Sequence, residues 1–151
     1  MTNREIEFCS HAGNLSLVRR FVREFLTEQG CSANLMDLMV LGIDEACTNV
    51  IRYAYCNVSD ELIRLKLECA GGTIRCRLRD YGHATDPAQM NGRCLEVVRP
   101  GGLGLHLIRQ AFDNAYYLRR PKGTELILVK SLDCGEPGSA AGGVGRCTRA
   151  A

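Results

Sequence analysis

The sequence has no tryptophan, only four prolines among 151 residues, and no marked excess of either charge. The 19 basic and 17 acidic side chains leave a net charge of +2, whereas a nucleic-acid-binding domain needs a clear basic excess on one face. We therefore expect no direct binding of nucleic acid. Hydrophobic residues make up 46% of the chain, which is enough for the core of one soluble domain.

Long hydrophobic runs are also lacking. No apolar stretch approaches the roughly 20 residues that a helix needs to cross a bilayer. The residues from Met1 to Glu7 do not form a basic region followed by an apolar one, as a secretory signal would. We expect a cytoplasmic protein without a membrane anchor.

The nine cysteines show no Cys-x-x-Cys spacing and no close cluster with histidine. Because their number is odd and no secretory signal is present, a disulfide framework is disfavoured, and so is structural zinc. We expect reduced thiols that serve as small, mostly buried apolar residues. Cys47 falls in a predicted helix, and Cys69 and Cys76 fall in predicted strands.

Hydrophobic periodicity predicts three helices and five strands. The helices span residues 15–29, Ser32 to about Tyr55, and from the Gly101–Gly104 segment to about Phe112. The strands span residues 5–9, 61–69, 73–79, 114–119 and 124–131. Asn14 and Ser32 are predicted N-caps, Gly30 ends the first helix, and Gly71-Gly72 forms a hairpin turn.

The order of these elements predicts the fold class. Strands follow one another in hairpins while helices are grouped apart, which is typical of an α+β two-layer sandwich. A Rossmann fold is disfavoured, because strands and helices do not alternate and no Gly-x-Gly-x-x-Gly follows a strand. Residues 1–132 are expected to form this domain, and the glycine- and alanine-containing residues 133–151 a flexible tail.

Glu45 and Asn49 lie one turn apart in the second predicted helix. At about 100° per residue, Asn49 projects roughly 80° and Glu45 roughly 120° from the centre of the apolar stripe. Both side chains are thus expected at the margin of the apolar face of this helix, whereas Asp44 is expected to face water. An amide oxygen is a suitable ligand for Mg²⁺, and a carboxylate can accept a proton from an attacking hydroxyl.

Two glycine-bearing segments follow this helix. Asp80 ends a predicted strand, where its carboxylate can accept a hydrogen bond from an exocyclic amine such as that of adenine, and Gly82 lets a flat base approach the backbone. Gly102 and Gly104 precede a helix, whose N-terminus favours phosphate. The intervening stretch of about 20 residues has no periodicity and is typical of a lid. Each motif alone is common, but their joint occurrence in this order favours a nucleotide site.

In this order the segments resemble the motifs of a known superfamily. Glu45-Ala-Cys-Thr-Asn49 resembles the N box, and Asp80-Tyr-Gly82 and Gly101-Gly-Leu-Gly-Leu105 resemble the two glycine boxes, of the GHKL ATPase/kinase superfamily. Gly123-Thr-Glu-Leu-Ile-Leu-Val-Lys130 resembles its closing strand. The resemblance covers roughly residues 4–131. Within the superfamily, the chain resembles the small bacterial anti-sigma-factor serine kinases. It implies the Bergerat ATP-binding fold, with helices on one face of a mixed, mainly antiparallel sheet.

The resemblance also implies a role for individual residues. Asn49 would ligate Mg²⁺, Glu45 would be the general base that activates a serine or threonine hydroxyl, and Asp80 would bind the adenine amine of ATP. The other nucleotide contacts that it implies are Gly82 and Thr124 at the adenine, Gly102, Leu103 and Gly104 in the lid, and Arg99 at the triphosphate. One departure is Ala84, which stands where the first glycine box usually carries a second glycine.

The resemblance implies a serine/threonine kinase that phosphorylates a small anti-sigma-antagonist of the STAS type, sequesters a sigma factor, and forms a homodimer. The alternative is an ATP-gated protein-binding module with little or no phosphotransfer, which Ala84 leaves open. An ATPase subunit of a larger machine is disfavoured by the missing transducer domain. None of the three histidines lies in a dimerising helical hairpin, which disfavours a sensor histidine kinase.

Overall fold

The structure, a computed structural model, describes residues 1–82 and 103–132, with side chains in the second range from residue 106 onward. The predicted tail of residues 133–151 and most of the predicted lid lie outside these ranges. In the described part, strand β1 (Thr2–Cys9) comes first and is followed by a 3₁₀ turn, Ala12–Asn14. No helix in the described part is long and apolar enough to cross a membrane.

Helix α1 (Leu15–Glu28) packs on the sheet through its buried side chains Val18, Val22, Phe25 and Leu26. Gly30, with φ of +73°, follows the helix as predicted. The predicted cap at Asn14 is wrong, because its side chain accepts no hydrogen bond from the helix and instead donates to the carbonyl of Cys9 at 2.9 Å. The preceding 3₁₀ turn already gives Asn14 a helical backbone, so the N-cap geometry is absent.

Helix α2 (Ala33–Asn49) begins as predicted. The hydroxyl of Ser32 accepts a hydrogen bond from the backbone N–H of Leu35 at 3.3 Å. The helix continues as a π-helical segment, Val50–Ala54, in which the N–H of Tyr55 bonds to the carbonyl of Val50 at 3.1 Å. The winding therefore widens directly after Asn49, a change that periodicity did not predict.

The remaining elements are β2 (Leu62–Ala70), β3 (Thr73–Asp80), α3 (Leu103–Ala111), β4 (Asn114–Arg119) and β5 (Thr124–Ser131). The bounds predicted for β4 and β5 are confirmed. The five strands form one sheet in the order β1-β2-β3-β5-β4, and every pairing among them is antiparallel. The α+β prediction is confirmed, and the described sheet is uniformly antiparallel where a mixed one was expected.

One row of apolar side chains crosses the whole sheet. The register pairs Ile6 with Leu65, Leu65 with Leu78, Leu78 with Leu126, and Leu126 with Tyr117. The three leucines of this row are at most 3% exposed, because the helices cover this face of the sheet. Within the helical layer, Gly42 of α2 lies against α3, since a Cβ there would be 3.2 Å from the side chains of Ala111 and Phe112. The core lies between the sheet and this layer.

The six described cysteines are free thiols. Cys47 in α2 and Cys76 in β3 are buried as predicted, and burial raises the pKa of both thiols. Cys31 and Cys69 are half-buried. Cys9 and Cys56 are exposed, so the expectation of buried cysteines is wrong for these two, which lie at a strand end and in a turn.

Candidate functional site

Glu45 and Asn49 are both half-buried on α2, while the residues that follow them, Ala46 and Val50, are buried. The two polar side chains thus lie beside the apolar face, and Asn49 is the last residue of the α-helix. A half-buried position keeps a carboxylate or an amide accessible to a ligand while the helix fixes its direction.

Asp44, the neighbouring acid, does not face open water as predicted. Its carboxylate forms an ion pair with Arg19 of α1 at 2.7 Å, and its side chain is 25% exposed. About two turns earlier on the helix, Asp37 forms a similar pair with Arg23 at 2.9 Å. These acids are therefore turned towards α1, because α1 packs along this side of α2. Glu45 and Asp44 both carry a carboxylate, but as neighbours on an α-helix their side chains point in directions about 100° apart.

Asp80 is the last residue of β3 and is only 5% exposed. Side chains alternate along a strand, so Asp80 faces the helices, like the buried Leu78 two residues earlier. One carboxylate oxygen accepts a hydrogen bond from the N–H of Gly82 at 3.0 Å. This turn fixes the carboxylate at the point where the strand ends.

Two glycines hold the chain around Asp80. A Cβ on Gly82 would lie 2.3 Å from the carbonyl oxygen of Ala54, at the end of the π segment. A Cβ on Gly123, whose φ is +76°, would lie 2.1 Å from the carbonyl oxygen of Asp80. The end of β3 therefore packs closely between the π segment that follows α2 and the β4–β5 turn. Contact with Ala54 accounts for Gly82 independently of any base lying against it.

Thr124 lies next to Asp80 in space. The register pairs Arg79 with Glu125, so the following position brings Asp80 and Thr124 side by side on the inner face. Thr124 is 4% exposed. From the outer face, the guanidinium of Arg79 donates to the carbonyl of Asp80 and, at 3.3 Å, to that of Thr124. The sheet thus brings together two of the residues that the sequence assigned to adenine.

The lid residues are only partly described. Leu103 and Gly104 are the first two residues of α3, so Gly104 lies inside the helix rather than before it as predicted. The first four N–H groups of an α-helix have no partner within the helix, with or without a glycine there. Arg99, Gly102 and Ala84 lie outside the described residues.

Sequence reasoning missed two residues of this site, Arg79 and Tyr55. Arg79 is one of several basic residues that alternate with apolar ones along its strand, so nothing in the sequence singles it out. Its hydrogen bond to the Thr124 carbonyl depends on β5 lying beside β3. Tyr55 is 5% exposed, and its hydroxyl bonds to the N–H of Tyr81 at 2.7 Å. Its burial depends on the π segment, which has no recognised signal in the sequence.

A cavity of about 590 Å³ opens beside the end of β3. It lies between the end of the helix, from Ala54 to Cys56, and the β4–β5 turn, and it also borders Tyr81 and Gly82. Three cationic side chains, Arg119, Arg120 and Lys122, line it together with Glu61. Among the described residues, the cavity borders the two that follow Asp80 in the chain, and Asp80 itself is not part of its lining.

The donor set fits a magnesium nucleotide better than a metal held by protein alone. In residues 1–82 and 106–132, no group of three histidine, cysteine or acidic side chains is placed to hold a metal ion. Mg²⁺ that is bound to phosphates keeps several waters and needs only one or two protein oxygens. The amide of Asn49 can supply one, while the buried carboxylate of Asp80 suits an exocyclic amine.

Comparisons with known proteins agree with this geometry. The profile of the histidine kinase-like ATPase domain matches residues 8–130. The serine/threonine-protein kinase BtrW of Bordetella bronchiseptica is 32% identical over 102 residues, which are 65% of this chain and 72% of that protein. The anti-sigma F factor of Clostridium botulinum is 23% identical over 133 residues, 85% of this chain and 93% of that protein.

A solved structure shows the same fold. In the crystal structure of the RsbU and RsbW domains of a Mycobacterium tuberculosis protein, the similar region covers 87% of this chain with a TM-score of 0.63 and 22% identity. This chain spans only 33% of that longer protein. The likeness therefore concerns one domain of it.

Proposed function

The chain belongs to the histidine kinase-like ATPase domain family, and on that premise we propose that it is an ATP-dependent serine/threonine protein kinase acting as an anti-sigma-factor switch. The observation that carries the proposal is that the sheet brings Asp80 and Thr124 side by side on its inner face. The end of the strand that carries Asp80 contacts Ala54, in the π segment that continues the helix bearing Glu45 and Asn49. Residues 1–132 are assigned to the kinase domain, and the profile match to residues 8–130 supports this boundary.

Nucleotide recognition is assigned to Asp80. An ionised carboxylate has about four acceptor sites. The Asp80 carboxylate, which is 5% exposed and accepts from the N–H of Gly82, can therefore also accept from an exocyclic amine of a base. Discrimination by a buried polar group of this kind is strong compared with discrimination by shape. Thr124 lies beside Asp80 and is assigned to the same adenine.

Phosphoryl transfer is assigned to the pair on α2. Bound ATP and Mg²⁺ supply the phosphoryl group and the charge that stabilises its transfer. Asn49 contributes an oxygen ligand to the metal ion. Glu45, one turn earlier and half-buried, accepts the proton of the incoming serine or threonine hydroxyl. Its partial exposure leaves room for a partner protein to approach.

The partners are proposed from the relatives. One relative is named a serine/threonine-protein kinase and another an anti-sigma F factor, which supports a protein hydroxyl as the phosphate acceptor and a sigma factor as a second ligand. We assign the acceptor to a small anti-sigma-antagonist of the STAS type, and we expect the chain to act as a homodimer. An ATP-gated binding module remains the second candidate, because Ala84 forbids the positive dihedrals that glycine would allow in the first glycine box.

The test is phosphate transfer from γ-labelled ATP, with Mg²⁺, to a candidate STAS-domain protein. Glu45→Ala is expected to bind ATP but to lose transfer by a factor of about 10² to 10⁴, the usual contribution of a positioned general base. Asn49→Ala is expected to weaken magnesium-dependent ATP binding by about tenfold or more. Asp44→Ala is the matched control, since this acid pairs with Arg19, and transfer should persist.

Each outcome has a definite meaning. Full transfer by purified Glu45→Ala contradicts the assignment of the general base. Loss of transfer in both Glu45→Ala and Asp44→Ala indicates damage to the helix rather than to the chemistry. ATP binding without transfer to any candidate supports the binding module. Absence of ATP binding refutes the nucleotide site.

A further inference from the structure

The hydroxyl of Tyr55 lies at a gap between two strands. The register pairs Ile63 of β2 with Asp80 of β3, so Leu62 and Tyr81 would form the next pair. Instead the Tyr55 hydroxyl lies between them, donating to the carbonyl of Leu62 at 2.5 Å and accepting from the N–H of Tyr81 at 2.7 Å. A side chain from the helix thus replaces a direct strand-to-strand contact immediately after Asp80.

The π segment is what directs Tyr55 to this position. With continued α-helical winding Tyr55 would point in the direction of the exposed Asp37, about five turns earlier. A π turn adds about one residue, so Tyr55 takes the direction that residue 54 would have had, within about 20° of Ile43 and Cys47. Both of those residues are buried, and Tyr55 is 5% exposed. The helix that carries Asn49 therefore ends by inserting a phenol into the sheet.

This contact affects the position of the Asp80 carboxylate. Its carboxylate is held by the N–H of Gly82, Gly82 rests on the carbonyl of Ala54, and the residue between them is held by Tyr55. Burial raises the pKa of the Tyr55 phenol, so the hydroxyl keeps its proton and both hydrogen bonds through neutral pH. The hydroxyl is therefore the direct hydrogen-bonded link between the end of the helix and the strand end that carries Asp80.

We propose that Tyr55 is a positioning residue for nucleotide recognition: its hydroxyl fixes the backbone after Asp80 and so sets the direction of the carboxylate that reads the base. The inference rests on the proposed assignment of Asp80 to the adenine amine. This role acts through the N–H of Tyr81, and it requires no contact of Tyr55 with the base or the phosphates. Its contribution is to the preference for adenine and not to the transfer step.

The test compares ATP with inosine triphosphate, in which a carbonyl replaces the exocyclic amine. Tyr55→Phe keeps the ring and its packing but removes both hydrogen bonds. We expect its Kd for ATP to rise by about tenfold and its Kd for inosine triphosphate to change less than about twofold, so that the preference for ATP falls. Asp80→Asn gives the reference loss of preference. Tyr116→Phe, on the outer face of β4, is the matched control and should retain the preference.

A second measurement is hydrogen exchange, and its result for the unaltered protein does not depend on the folding of a variant. The backbone amide of Tyr81 should exchange its hydrogen slowly in the wild-type chain, because it is bonded to a buried phenol, and at least about tenfold faster in Tyr55→Phe. Exchange of this amide in the wild-type chain at the rate of an unprotected amide would overturn the proposal.

The binding results separate this inference from the function on which it rests. If the wild-type chain binds ATP and inosine triphosphate equally, or if Asp80→Asn keeps the preference, the assignment of Asp80 is wrong and the inference fails with it. If Asp80→Asn loses the preference but Tyr55→Phe keeps it, only the inference is wrong. Equal weakening of both nucleotides in Tyr55→Phe reduces Tyr55 to a structural role and also overturns the proposal.

Discussion

Gly123→Ala is predicted to disturb both folding and the nucleotide site, and Gly30→Ala provides a control with almost the same backbone. The two glycines have φ of +76° and +73°. A Cβ on Gly30 meets nothing within 4 Å, whereas a Cβ on Gly123 would lie 2.1 Å from the carbonyl oxygen of Asp80. Both substitutions therefore introduce backbone strain, but only Gly123→Ala also introduces a steric collision.

The expected magnitudes follow from these two terms. A left-handed conformation costs a residue with a Cβ about 1–2 kcal/mol, and alanine recovers about 0.4–1 kcal/mol by restricting the unfolded chain. Gly30→Ala should therefore lower the free energy of unfolding by about 1 kcal/mol. The collision in Gly123→Ala must be relieved by moving backbone, at an additional cost of about 1–3 kcal/mol. We expect a total of about 3 kcal/mol.

Urea denaturation of both variants measures the difference. The midpoints should fall in the order wild type, Gly30→Ala, Gly123→Ala, with unchanged slopes. Since the collision is with the backbone of Asp80 and Tyr81, Gly123→Ala should also weaken ATP binding. Gly30→Ala, at the end of α1, should bind ATP like the wild type.

Equal losses of unfolding free energy in the two variants would refute the close contact between Gly123 and the Asp80 carbonyl, because they would show that backbone strain alone accounts for both losses. Unchanged ATP affinity in a Gly123→Ala protein that has lost about 3 kcal/mol would refute the link between the β4–β5 turn and the nucleotide site.

Two further predictions concern stability. The pKa of Asp113 is lowered, chiefly by the N–H of Ser131, which donates to it at 2.8 Å, and also by Lys130 at 3.1 Å. Its stabilising contribution is therefore present above the unfolded pKa of about 4 and is lost as the pH falls through the lower folded value. Asp113→Asn should be less stable than the wild type at pH 7 in thermal melts, and the difference should narrow as the pH falls below about 4. A difference that does not change with pH would contradict this. Leu65→Ala, at a position that is 0% exposed, should cost about 2–5 kcal/mol in urea denaturation. Leu62→Ala, at a position that is 39% exposed, should cost less than about 1 kcal/mol, and similar losses would contradict the placement of the core.

Much of the fold was predictable because its signals are local. The cap at Ser32, the glycine after α1, the Gly71-Gly72 turn and both C-terminal strands follow from the chain's own periodicity and turn residues. The motif residues were recognisable for the same reason, since Glu45 and Asn49 need only helical spacing to lie on neighbouring turns. The cap at Asn14 failed because the preceding turn, which competes for the same backbone, has no distinct pattern.

The direction of polar side chains was less predictable where two elements meet. Asp44 was assigned to water, but Arg19 of α1 forms an ion pair with it. The π segment after Asn49 was likewise not predicted, and the Tyr55 hydroxyl that follows it bonds to Leu62 and Tyr81 in the sheet. In both cases the decisive partner is distant in sequence.

Local patterns were therefore enough to predict the presence of the three helices, the five strands and the α+β class, whereas the roles of the motif residues stay predictions. The order of the strands could not be read from the segments: β5, and not β4, lies beside β3, which brings Asp80 next to Thr124 and places Gly123 against the Asp80 carbonyl. Strand order and register are set by burial of the apolar rows against the helices. That burial is a property of the assembled layers, and no single segment contains it.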